Sequence, residues 1–124
     1  MRARRQRKGK LAYESGQSAE HIIAREYNRR GAEIADRRFR GSTGEIDLIA
    51  RSGPEVIFVE VKKARDFATA AAQLGQHQMR RILEAASEFL EQEPLGQLTP
   101  VRFDVALVGA TGNFEIIENA FGDV

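Results

Sequence analysis

The 124-residue sequence predicts an α/β domain in which a mixed sheet carries a helix on either flank. Three observations predict it. Two β-rich runs, EIDLIAR and EVIFVEVKK, adjoin across Ser52-Gly53-Pro54 and read as a hairpin. A helical pattern precedes them and a longer one follows. Two further β-rich runs close the chain, so the order is α, β, β, β, α, β, β.

Residues 1–15 form a basic N-terminal arm, and residues 16–124 a single domain of ordinary size. A helix fits Ser18 to Arg30, with Ala19, Ile22, Ile23 and Tyr27 at helical spacing and Gly31 at its C-terminal stop. Glu33 to Arg40 is a short strand, and GSTG (Gly41 to Gly44) turns it into the strand Glu45 to Arg51. Glu55 to Lys63 is the third strand. Residues 67–93 read as helix, interrupted at Gly75 and ended by Pro94, with Met79, Ile82, Leu83, Ala86, Phe89 and Leu90 on one stripe. VRFDVALV (Val101 to Val108) and Phe114 to Ile117 are the last strands.

Composition is that of a folded chain, 42% hydrophobic and 30% charged. The lack of cysteine excludes disulfides, a thiolate metal site and a thiol nucleophile. No apolar run approaches the ~20 residues of a membrane span. No apolar segment follows the basic N-terminus as a signal peptide requires. The expectation is a soluble, cytoplasmic protein with no membrane partner. The net charge of +1 hides an asymmetry: Arg2, Arg4, Arg5, Arg7, Lys8 and Lys10 crowd the arm, while residues 11–124 hold 13 basic against 18 acidic residues, net −5. A cationic arm on an acidic body points to a polyanion partner or to a solvated tail.

Three acids stand where apolar residues are expected. Glu60 and Lys62 share one face of the strand FVEVKK, while Ile57, Val59 and Val61 face the other way. Asp47 lies in EIDLIA between Ile46 and Leu48, on a face with Glu45 and Ile49. Glu20 precedes Ile23, Ala24 and Tyr27 at helical intervals and so lies on or beside the buried stripe, unlike Glu26. A hairpin register that sets Asp47 beside Glu60 puts two like charges together, which needs a cation. Oxygen-only ligands suit Mg²⁺ or Mn²⁺. With Lys62 one step along the strand, the set suits phosphodiester hydrolysis. The same E-x-K pattern also occurs as an ordinary surface ion pair. His21 and His77 have no part in it.

An acid on the first helix, then GEIDLIA (Gly44 to Ala50), then FVEVKK (Phe58 to Lys63) resembles the YraN family, also called UPF0102. The resemblance continues through Arg81-Ile82-Leu83, Ala85-Ala86, RFDVALV and the closing ENAF, covering about residues 14–121. It implies a restriction-endonuclease-like core of the PD-(D/E)xK nucleases, αβββαβ with an extra C-terminal strand, near the Holliday junction resolvases. On that resemblance Asp47, Glu60 and Lys62 match the catalytic D, E and K, and Glu20 matches the helix acid beside the metal. Asp47, Glu60 and Glu20 become the metal ligands. The family's long helix usually carries a lysine at the position of Gln78; the amide here can donate a hydrogen bond and brings no charge.

Arg37, Arg38 and Arg40 before the hairpin, and Arg80 and Arg81 on the long helix, are candidate phosphate contacts or solvated surface charges. Asp104 is expected to pair with Arg102 or cap an edge, and Asn119-Ala120-Phe121 to pack the C-terminus. With no Trp and two Tyr, no stacking platform for single strands stands out. The expected activity is metal-dependent cleavage of DNA, branched or structured. The alternatives are a nucleic-acid-binding module that does not cleave and a scaffold in which Glu60 and Lys62 are a structural pair. A homodimer would fit a two-fold branched substrate.

Overall fold

A computed structural model describes residues 18–72 and 75–122. The basic arm lies outside the described residues. Helix α1 is described over residues 18–29. Strands β1 (Glu33–Arg40), β2 (Glu45–Ser52) and β3 (Glu55–Lys63) follow as an antiparallel meander. Helices α2 (Phe67–Ala72) and α3 (Gln76–Leu90) then cross to β4 (Val101–Val108), which runs parallel to β3, and β5 (Phe114–Ile117) returns antiparallel beside it. The five strands form one mixed sheet in the order β1-β2-β3-β4-β5, flanked by helices. This is the predicted α/β architecture.

Each strand's alternation feeds two cores. On one face Ile49, Val56, Phe58, Val105 and Leu107 pack against Ile82, Ala85, Ala86 and Phe89 of α3. On the other, Leu48, Ala50, Ile57, Val59 and Ala106 pack against Ala19, Ile23, Ala24 and Tyr27 of α1. Both faces of β2 and β3 are therefore dry, which explains their near-continuous apolar sequence. Phe39, Phe89, Phe58, Phe103 and Phe121 link ring to ring with centroids 5.2–5.8 Å apart, so the C-terminal Phe121 packs as expected.

Several details differ from expectation. The long helix breaks at Gly75, whose extended backbone (φ −77°, ψ 157°) caps α3, but α3 ends at Leu90, before Pro94. Residues 91–93 turn instead, and Glu93 pairs with Arg51 in two hydrogen bonds, one of 2.9 Å. A short 3₁₀ turn, Gly96–Leu98, which no periodicity signalled, leads into β4. Glu26, expected away from the buried face, is 9% exposed. Arg29 and Arg30 both bond its carboxylate at 2.7 Å, cover it and hold its pKa down at about 2.

Asp104 is 1% exposed and fully partnered. Arg102 bonds both its oxygens at 2.9 Å, the Tyr27 hydroxyl donates at 2.6 Å, and the Asn119 N–H donates at 3.1 Å. Burial, then the Asp104 carboxylate, pushes the Tyr27 phenol well above its ordinary range. Asp104 is thus a bolt between α1, β4 and the C-terminal turn, in line with the expected Arg102 pairing.

Candidate metal and nucleic-acid site

The site is made by two strands that part company. The β2–β3 ladder runs from Ser52↔Glu55 to Leu48↔Val59 and ends there. Asp47 and Glu60 would be the next pair. At this point Ile46 joins the α3-side core with Ile49 while Leu48 joins the α1-side core, so the two-residue alternation slips between 46 and 48. With the ladder open, the Asp47 Oδ2 accepts the N–H of Val61 at 2.8 Å. A side chain replaces the missing backbone partner and fixes the carboxylate.

Asp47 and Glu60 lie within hydrogen-bond reach of each other, and burial penalises the charge on both. Burial raises the Asp47 pKa, and the Val61 N–H works against that rise. Burial, then the Asp47 charge, pushes Glu60 up to about 8, against the pull of Lys62. Glu45, on the same side of β2, adds negative charge to both. Two desolvated carboxylates in contact have a raised affinity for any cation, a proton included.

The other expected residues fall at different distances from this pair. Lys62 is half-buried at the far end of β3, its charge felt by Glu60. The Gln78 Nε2 reaches Glu60 Oε1 from the start of α3 at 3.4 Å, so the amide faces the cleft. Glu20 sits across from the pair on α1, close enough for its charge to raise Asp47, and its Oε2 lies 3.4 Å from Arg38 Nε. Arg38 has φ +53°, a left-handed backbone within β1. Arg40 lies 3.5 Å from Glu45, its side chain largely exposed. Arg37, Arg80 and Arg81 are exposed, as are His21 and His77.

Among the described residues, no three of His, Cys, Asp and Glu come together as a ready metal cage. The chain would offer Asp47 and Glu60, with the remaining positions left to water and ligand oxygens. That donor set fits Mg²⁺, which is held through one or two carboxylates and keeps waters. Sequence reasoning missed the Val61 N–H, because a backbone donor leaves no side-chain signature. It also left Glu45 unassigned, although its position two residues before Asp47 marks it.

A sheet whose parting strands set two carboxylates together, with the charge of a lysine and an amide reaching Glu60, defines a class: an α/β domain with an acid-pair site at a strand junction. The chain belongs to the Uncharacterised protein family UPF0102, whose model matches residues 19–108. It is similar to a UPF0102 protein of Ruegeria pomeroyi, 63% identical over 108 residues, 87% of this chain and 88% of that one. A UPF0102 protein of Cereibacter sphaeroides is 62% identical over 113 residues, 91% of this chain and 97% of that one. One of Roseobacter denitrificans is 48% identical over 115 residues, 93% and 89% respectively. No helix among the described residues is long and apolar enough to cross a membrane.

Proposed function

We propose that the protein hydrolyses phosphodiester bonds in DNA, branched or structured DNA included, with Mg²⁺ or Mn²⁺ held by Asp47 and Glu60. The observation that carries this reading is the meeting of two half-buried carboxylates, Asp47 and Glu60, where β2 parts from β3, with the charge of Lys62 beside them. When bound, the metal supplies charge neutralisation and an acidified water. The chain does the rest. Asp47, locked by the Val61 N–H, sets the direction of the pair. Lys62 stabilises the charge that develops on the phosphoryl oxygens. Gln78 gives Glu60 Oε1 a partner in addition to Asp47. Glu20 adds negative charge opposite the pair, with Arg38 restraining it until a ligand phosphate competes for the guanidinium.

The test is a Mn²⁺ titration of ¹⁵N-labelled protein followed by cleavage assays. Paramagnetic broadening centred on residues 20, 46–48 and 59–62, absent in Asp47→Asn, is the expected result; broadening confined to other residues overturns the reading. A second reading, a binding module that does not cleave, is favoured by the Glu20–Arg38 contact, which holds a guanidinium beside the acids. It expects nucleic-acid binding that is undiminished in Asp47→Asn and no cleavage with either metal.

A further inference from the structure

Beyond the acid pair, the α1 side of the sheet carries two clefts that share a wall. The first, about 350 Å³, lies where β3 and β4 end against the start of the described part of α1, lined by Ile22 and Val108 with Lys63 and Arg65. The second, about 320 Å³, lies further along α1, between Ile22, Arg25, Arg29 and the ring of Phe114. Ile22 divides them. The β4–β5 turn closes against it at Gly112, where φ is +87° and a side chain would be strained, 3.7 Å from the Ile22 Cδ1. Lys63 and Arg65 line the first cleft and Arg25 the second, where Arg29 is engaged with Glu26.

We propose that this double cleft binds an unpaired nucleic-acid strand, its backbone on Lys63, Arg65 and Arg25 and a base on Phe114. Single-strand sites combine a cationic track with exposed rings on which bases stack in a sequence-tolerant way. Phe114 is 38% exposed, whereas Phe58, Phe89, Phe103 and Phe121 are buried. It supplies the platform that the absence of Trp concealed. The apolar floor of Ile22 and Val108 suits the face of a base and not a second phosphate. The track starts at the same end of the sheet as the acid pair, with Lys63 on the face opposite Glu60. Lys63 is three residues beyond Glu60 on β3, roughly 10 Å along a strand, and Ala19, which also lines the first cleft, adjoins Glu20. A strand leaving the cleft past Glu20, whose charge reaches Asp47, would round the end of the sheet to the Asp47–Glu60 site. The inference rests on nucleic acid being the ligand of that site, and it narrows the substrate to one with an unpaired arm beside a junction.

The test uses the full chain carrying Asp47→Asn, in EDTA, so that cleavage and metal play no part. Fluorescence anisotropy is read with labelled oligothymidylate and oligouridylate of about fifteen nucleotides and with a blunt hairpin duplex. Arg65→Ala and Phe114→Ala are each expected to weaken single-strand binding about tenfold and to leave duplex binding unchanged, with Phe114→Trp restoring it. The effect on oligouridylate alone supports the same cleft and identifies the strand as RNA. Single-strand affinity altered by no more than about twofold in both variants, or duplex affinity falling as far as single-strand affinity, overturns the proposal. The pattern found without any metal-dependent cleavage by the unsubstituted chain leaves the cleft standing and removes the nuclease. Cleavage without the pattern does the reverse.

Discussion

The Asp47 carboxylate occupies the place of a strand: its Oδ2 takes the Val61 N–H at 2.8 Å where β2 has ceased to pair with β3. The same residue is tied to the sheet through Oδ2 and is also in hydrogen-bond reach of Glu60. This double duty makes the site stiff without a third carboxylate, and it separates what Asp47 does for the fold from what it does for charge.

Asp47→Asn keeps an oxygen for the Val61 N–H and removes the charge. The expected outcome is retained folding, by circular dichroism and melting, with Mn²⁺ broadening and any cleavage lost. Asp47→Ala also abandons the Val61 N–H and is expected to cost a further ~1–2 kcal/mol in urea titration. Equal stability of the two variants would mean that the bond carries no weight.

The acid pair makes the metal-free protein weaken as pH rises. Glu60 has a folded pKa raised from 4.5 to about 8, so the native state holds a proton that the unfolded chain releases between those values. Stability is therefore expected to fall from about pH 4.5 to about pH 8 and then level off. Glu60→Gln should flatten that slope and be the more stable protein at pH 8, by on the order of 1 kcal/mol. Glu26 acts in a lower window: with its pKa held down at about 2, it stabilises above the ordinary carboxylate range and is lost as pH falls towards 2. Melting scans from pH 2 to pH 9 on both proteins check the two windows; an unchanged slope in Glu60→Gln would rule out the native-state proton.

If the acid pair holds a divalent metal as proposed, that metal competes with the proton. Apparent Mg²⁺ affinity is expected to rise with pH up to about pH 8, by about tenfold per unit where one proton is displaced. Calorimetry in two buffers of different ionisation enthalpy reads the proton release directly. Gln78→Lys, placing a cation against Glu60 Oε1, should lower the Glu60 pKa and move the rise to lower pH.

The Asp104 bolt is expected to dominate stability without touching the acid pair. Asp104→Ala leaves Arg102 and Tyr27 without a buried partner and should cost ~3–5 kcal/mol, while Tyr27→Phe should cost ~1 kcal/mol. Denaturant titrations measure both, and Mn²⁺ broadening at residues 46–48 and 59–62 should be retained in Tyr27→Phe.

Much of this was legible in the residues. The pair Asp47 and Glu60 could be placed together because both strands are short, β-rich and joined by a tight turn, and alternation then fixes which side chains face each other. Gln78 could be aimed at the cleft because helical spacing ties it to Ile82. Other features were hidden for physical reasons. The end of the β2–β3 ladder at Leu48 depends on twist and on α3, neither of which a local pattern records. Glu26 looked exposed on periodicity alone, yet two neighbouring arginines make its burial tolerable. Beyond the end of α3, Glu93 is engaged by Arg51, a contact between residues 42 apart that no local pattern records. Phe114 reads like any other strand residue, and only the position of α1 leaves its ring open beside Arg25 and Arg29.

The parallel pairing of β3 with β4 has a kinetic consequence. Val56 meets Val101 only after the whole α2–α3 crossover has been gathered in, and closing such a loop is the slow, entropically opposed part of folding. Asp47, Glu60 and Val61 all lie within the β2–β3 hairpin, which closes locally. The two carboxylates are therefore brought together before the rest of the sheet exists, in a half-built chain whose open β3 edge still awaits β4. A cation present at that moment would relieve their repulsion early. Refolding in Mg²⁺ is accordingly expected to be faster than in EDTA, and the difference should vanish in Asp47→Asn.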